Sequence, residues 1–214
     1  MSKSFQKSLE ECRILIYGIN GNQSIKTKIA AIYTPERIEV GVQLHQACKA
    51  ASENQSIEKI ESTQAGRNYR ETYDKIYERL LKIRKAGRYF FKNDAELSSL
   101  LRLNKEVPTN YADWKNLCNE TANTIVQHES IQEKLALVEL GLEEITEMTQ
   151  ELAKIDELKI KAEKEDGEAQ VATVRKQETF NELMTYCSDL RACLNLFYEG
   201  SERQILEQVG ILVR

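Results

Sequence analysis

Only nine glycines and two prolines stand in this chain of 214 residues, against roughly 12% of such residues in an average globular sequence. A sandwich, a barrel or a doubly wound sheet needs many turns, so this scarcity of chain breakers argues against all three and leaves long helices. The apolar residues agree. Leu142, Ile145, Met148, Leu152, Ile155 and Leu158 recur at spacings of three and four, which places them on one helical stripe. Phe180, Leu183, Cys187, Leu190, Leu194 and Phe197 do the same. Only Ile14–Tyr17 has any strand character, and it is too short to decide.

The chain also repeats itself. Ile25, Lys28, Ile29, Ala30 and Ile32 match Ile131, Lys134, Leu135, Ala136 and Val138 at an offset of 106. Glu71, Thr72, Tyr73, Ile76, Ile83, Arg84 and Phe90 match Glu178, Thr179, Phe180, Leu183, Leu190, Arg191 and Phe197 at 107. Phe5 and Cys12 meet Tyr111 and Cys118 at 106. Half of 214 is 107, so two copies fill the chain, and a tandem duplication is the expectation.

Each copy reads as the same run of helices, at 4–17, 24–33, 35–60, 64–92 and 95–103, then at 111–127, 130–139, 142–165, 168–198 and 202–208. Thr34, Pro35 and Glu36 mark a helix start by cap, first-turn proline and dipole. Gly66 and Gly167 fall in the connections between the two longest helices of each copy, and Gly200 follows the end of the last long one. Pro108 sits at the seam between copies and stops a helix there. A hairpin of two such helices, each about 40 Å long at 1.5 Å per residue, cannot cover its own apolar stripe. The predicted fold is therefore all-α, with two tandem helical hairpins packed as an antiparallel four-helix bundle and short helices capping the ends. Residues 1–107 and 108–214 are the two repeats, together one compact domain. Two hairpins side by side as an extended solenoid segment are the alternative.

Charge divides between the halves. Residues 1–107 carry 19 Lys and Arg against 13 Asp and Glu, while residues 108–214 carry 11 against 21. The first reading is complementarity that helps the halves dock within one chain. The sharper one is attraction between the basic half of one molecule and the acidic half of another, or a separate acidic partner. The basic residues concentrate over 64–105, where Arg67, Arg70, Lys75, Arg79, Lys82, Lys85 and Arg88 form the candidate interaction surface. Tyrosines stand among them at 69, 73 and 77. Basic residues interleaved with aromatics suit nucleic acid, yet tyrosines four apart on a helix read first as core, and the acidic half repels phosphate.

Parts for chemistry are few. The histidines are His45 and His128; His45 aligns with Leu152 on a core stripe and His128 ends a helix, so both read as structural. Neither belongs to a Glu-x-x-His pair of the di-iron kind, because position 42 is Val and position 125 is Ile. Cys12, Cys48, Cys118, Cys187 and Cys193 are scattered and odd in number, which reads as reduced core thiols in the cytoplasm. No phosphate loop, nucleophile elbow or zinc motif occurs, and GINGN at 18–22 reads as a turn. Glu143, Glu144, Glu147 and Glu151 read as a solvated face, and Asp166-Gly167-Glu168 lacks the ligands of a calcium loop. No catalytic, metal or cofactor site is expected, and no apolar run is long enough for a membrane.

The segments KEDGEAQVATVR (164–175), LMTYCSDLRACLNLFYEG (183–200) and ILEQVGILVR (205–214) resemble a group of uncharacterised bacterial all-helical proteins. The likeness covers residues 110–214 and, more weakly, the first half, which departs in its basic character. It implies an all-helical fold and a bacterial source, and no chemistry. The functional expectation is a non-enzymatic helical scaffold or protein-interaction module, with a protein partner or self-association. The alternatives are a bundle that binds a small ligand or metal near His45, with or without catalysis, and nucleic-acid binding through 64–105.

Overall fold

A computed structural model of the protein describes residues 4–212. It is all-α, with no strand among the described residues. The helices are α1 Phe5–Gly21, α2 Gln23–Ile29, α3 Pro35–Phe90, α4 Ala95–Leu100, α5 Tyr111–Gln127, α6 Glu129–Ala136 and α7 Leu142–Phe197, with a closing 3₁₀ helix Gly200–Val209. Their starts follow from local chemistry. The side chains of Ser4, Asn22, Asp94 and Asn110 accept from backbone N–H groups of the first turns of α1, α2, α4 and α5. Thr34 does so for Arg37 at the head of α3, ahead of Pro35. Gly200, at φ 54°, takes the left-handed conformation after α7. The GINGN turn shrinks to Asn22, which ends α1 and caps α2.

The two predicted hairpins do not form. Where 35–60 and 64–92 were expected to fold back, α3 runs unbroken through Gly66, and α7 runs unbroken through Gly167. One glycine costs a helix only about 1 kcal/mol against alanine, and no proline lies in either helix after its first residue. A break there would give up a turn of hydrogen bonds for nothing. Both helices are 56 residues long.

The chain divides into two compact units, and the division is not the one between 107 and 108. Unit 1 is Met1–Ile60 with Gly167–Arg214, and unit 2 is Glu61–Asp166. Unit 1 thus joins α1, α2 and the first part of α3 to the last part of α7 and the 3₁₀ helix. Unit 2 joins α5, α6 and the first part of α7 to the last part of α3 and α4. Each has its own core. In unit 1, Ile38, Val42 and Cys48 pack with Leu183, Cys187, Leu190 and Leu194 under Ile16, Ile19 and Ile25. In unit 2, Ile76, Leu80 and Ile83 pack with Ile145, Met148 and Leu152 around Trp114, Cys118 and Ile131. The stripe of each helix start is therefore covered by the end of the other long helix.

The pairing is antiparallel within each unit. In unit 1 the Tyr186 hydroxyl donates to the carbonyl of Arg37 at 2.9 Å, while Gln55 bonds Thr173 and Lys176. In unit 2 Tyr69 feels Lys159 and Glu163, while Arg79 reaches Glu144, Glu147 and Glu151. One close approach fixes a residue type: a Cβ on Gly41 would lie 2.4 Å from the Tyr186 ring.

Candidate functional site

The seven basic residues singled out in the sequence all lie on the unit 2 part of α3, but they do not form one surface. Arg79 is drawn inward. Its side chain is 13% exposed and pairs with Glu144 at 3.0 Å, Glu147 at 2.9 Å and Glu151 at 2.8 Å. Those glutamates stand at i, i+3 and i+7 on α7; three of the four carboxylates expected to face only water are thus tied to one guanidinium. Arg88 donates from Nε to the carbonyl of Leu103 at 3.2 Å and so holds the loop after α4. Its neighbour Arg84, 2% exposed, donates to the carbonyls of Arg102, Leu103 and Lys105. Burial lowers the pKa of Arg84, with Arg88 beside it adding to the effect.

Arg67, Arg70, Lys75, Lys82 and Lys85 remain exposed, and none makes an ion pair among the described residues. Two of them border an apolar depression of unit 2. Lys82, Lys85, Ala86, Tyr89 and Phe90 of α3 line a groove of about 380 Å³ with Val138 and Leu140 from the turn between α6 and α7. Tyr89 is 71% exposed and Val138 44%. The groove shares Lys82, Val138 and Leu140 with a more polar hollow that also takes in Lys75, Glu78, Arg79, Glu139 and Glu144. Its aliphatic wall was invisible in the sequence reading, which stopped at charge. The signal was there: Lys82, Ala86 and Tyr89 share a helix face, and Glu139 takes a left-handed φ of 61° in the turn that presents Val138 and Leu140.

The tyrosine stripe is core-side, as its spacing predicts. Tyr69, Tyr73 and Tyr77 pack against the unit 2 core, and the Tyr73 ring lies 4.3 Å from Trp114. Stacked inward, these rings offer bases no platform.

In unit 1 His45 is buried, with Tyr17 edge-on to its ring at 5.4 Å between centroids. Its Nδ1 has no hydrogen-bond partner. Burial, with help from Arg13 and Lys49, pushes its pKa down and keeps the imidazole neutral. His128, half-buried, links α5 and α6 without a side-chain cap bond. The five cysteines form no disulfide among the described residues and are buried. Burial pushes the Cys118 thiol up to about 12 and raises Cys48 and Cys193 as well. The Cys187 thiol is raised first by its hydrogen bond with Cys12 and then by burial. Thiols held protonated are poor nucleophiles and poor metal ligands. Comparison with protein-family models, with curated proteins and with solved structures finds no match, so function has to be read from the geometry of the two units.

Proposed function

We propose that the protein is a non-enzymatic helical interaction module, and that the groove of unit 2 takes an acidic, partly apolar segment of a protein partner. One observation carries this reading: Lys82 and Lys85, exposed and without carboxylate partners among the described residues, line a groove with Ala86, Phe90, Val138 and Leu140. An apolar strip with cations at its edge rewards a ligand that brings both side chains to bury and carboxylates to pair. Panning a random peptide library on the whole protein tests it. Selected peptides should combine Asp or Glu with Leu, Ile or Phe and weaken as salt rises. Lys82→Glu with Lys85→Glu should abolish their capture. Peptides without acidic residues, or capture unchanged by the double substitution, would overturn the reading.

Other readings have less behind them. Head-to-tail association of opposite halves loses its motive, because basic α3 and acidic α7 meet inside unit 2 at Arg79. Nucleic-acid binding through 64–105 is weakened by the inward tyrosines and by the same neutralisation. Ligand binding by unit 1 has the surroundings of His45 in its favour. The duplication is supported by element lengths: α3 and α7 match in length and start 107 residues apart. Matched residues also take related places, Phe5 against Phe180 in unit 1 and Tyr111 and Tyr73 each against Trp114 in unit 2. Five cysteines outside any disulfide among the described residues support a reducing compartment, the cytoplasm.

A further inference from the structure

The helices α1 and α3 of unit 1 leave an open cleft of about 610 Å³ between them, a volume within the range of small-molecule sites. Its floor is Leu9, His45 and Ser52, all buried, and its walls are Glu10 and Arg13 on α1 with Lys49 and Glu53 on α3. His45 is 5% exposed, and its Nδ1 is unpartnered. A buried polar atom left without a bond is costly, and this imidazole lines the cleft between the charged walls.

The walls are built to stay apart. Arg13 binds both oxygens of Glu10 on its own helix, at 2.7 and 2.8 Å, and Lys49 faces Glu53 one turn on at 3.9 Å. No ion pair crosses this cleft among the described residues. Unit 2 treats the matching groove between α5 and α7 differently. There Lys115 pairs across it with Asp156, and the Tyr111 hydroxyl donates to the same carboxylate at 2.6 Å. Asp156 stands 107 residues after Lys49, and Leu152 the same distance after His45. The helices of unit 2 are bridged where those of unit 1 are not, and a leucine holds the place of the histidine.

We propose that the unit 1 cleft binds a small zwitterion of the amino-acid or short-peptide class. Two cations and two anions line the walls, so a ligand of one sign meets a like charge beside every opposite one. A zwitterion meets both with profit: its carboxylate lies toward Arg13 and Lys49, its ammonium toward Glu10 and Glu53. Exposed pairs within one helix contribute little to stability, so these side chains turn from each other to a ligand at small cost. His45 accepts from or donates to the ligand's polar end, and Leu9 and Tyr17 shelter an apolar side chain.

Titration of the ¹⁵N-labelled full chain with each of the twenty common amino acids and with glycyl-leucine tests this. At least one probe should give saturable amide shifts confined to α1 and residues 45–53, at concentrations below about 10 mM. The N-acetyl amide of the same residue, which lacks both charges, should bind at least about tenfold more weakly. Arg13→Gln and Lys49→Gln, both at exposed positions, should weaken binding by a similar factor, and His45→Asn should do so if it folds. The absence of saturable shifts with every probe would overturn the proposal. So would equal binding of the capped form, or binding indifferent to Arg13 and Lys49.

Discussion

Single side chains decide how this chain handles charge. Arg79 gathers three glutamates that would otherwise repel one another on one face of α7. Arg79→Gln should therefore lower stability by about 1–2 kcal/mol. Added salt, at about 1 M, should recover part of that loss by screening the glutamates; chemical denaturation with urea at two salt levels reads both. Arg84 is a different case, a buried cation held by carbonyl oxygens alone. Arg84→Met removes those donors from the loop at 101–105 and should cost about 2–4 kcal/mol, with no recovery in salt. His45 adds a pH dependence of known sign. Its pKa is lowered by folding, so the unfolded chain binds the proton first. The stability that depends on neutral His45 is whole above about pH 6.5 and is lost as pH falls toward the folded-state value. The slope approaches about 1.4 kcal/mol per pH unit, and His45→Leu should flatten it between about pH 7 and 5.5, above the carboxylate range.

At the scale of elements, α3 and α7 show what local reading could and could not reach. The stripes, the cap at Thr34 and the starts of both long helices were legible because they depend on neighbours within a turn. The expected hairpins do not form because neither Gly66 nor Gly167 stops its helix. A glycine by itself does not end a helix; the chain turns only where the backbone takes another course, as it does in the left-handed region at Gly200 after α7. At 66 and 167 a Cβ would meet nothing within 4 Å. Gly66→Ala and Gly167→Ala should each raise stability by about 0.5–1 kcal/mol, whereas glycines in a left-handed turn would lose stability on the same change; thermal melts of the two variants decide it. Gly41→Ala should go the other way, by about 1–3 kcal/mol, because the Tyr186 ring occupies the space the methyl needs. The candidate surface was half legible. Its lysines show in the sequence, but the turn that brings Val138 and Leu140 beside them lies about fifty residues further along the chain, and periodicity carries no information over that distance.

The whole molecule is assembled from segments that exchange partners. Balanced charge follows from this. Unit 1 carries eight basic and six acidic residues in 1–60, five and seven in 167–214, and so is neutral. The sharp division between sequence halves disappears in the units. Unit 2 is one continuous stretch with a complete core of its own. A fragment of residues 61–166 should therefore fold alone and melt cooperatively by circular dichroism. A fragment of residues 1–107 should not, because it contains the beginnings of one core and the ends of another, and it should gain structure when mixed with 108–214.

The same arrangement sets an order on synthesis. When residues 1–60 leave the ribosome, the helix end that shelters their apolar faces has not been translated, and at about 5–20 residues per second it arrives on the order of ten seconds later. Unit 2 closes meanwhile. Residues 1–60 spend that interval with their greasy side uncovered, so theirs is the last core of the two to close.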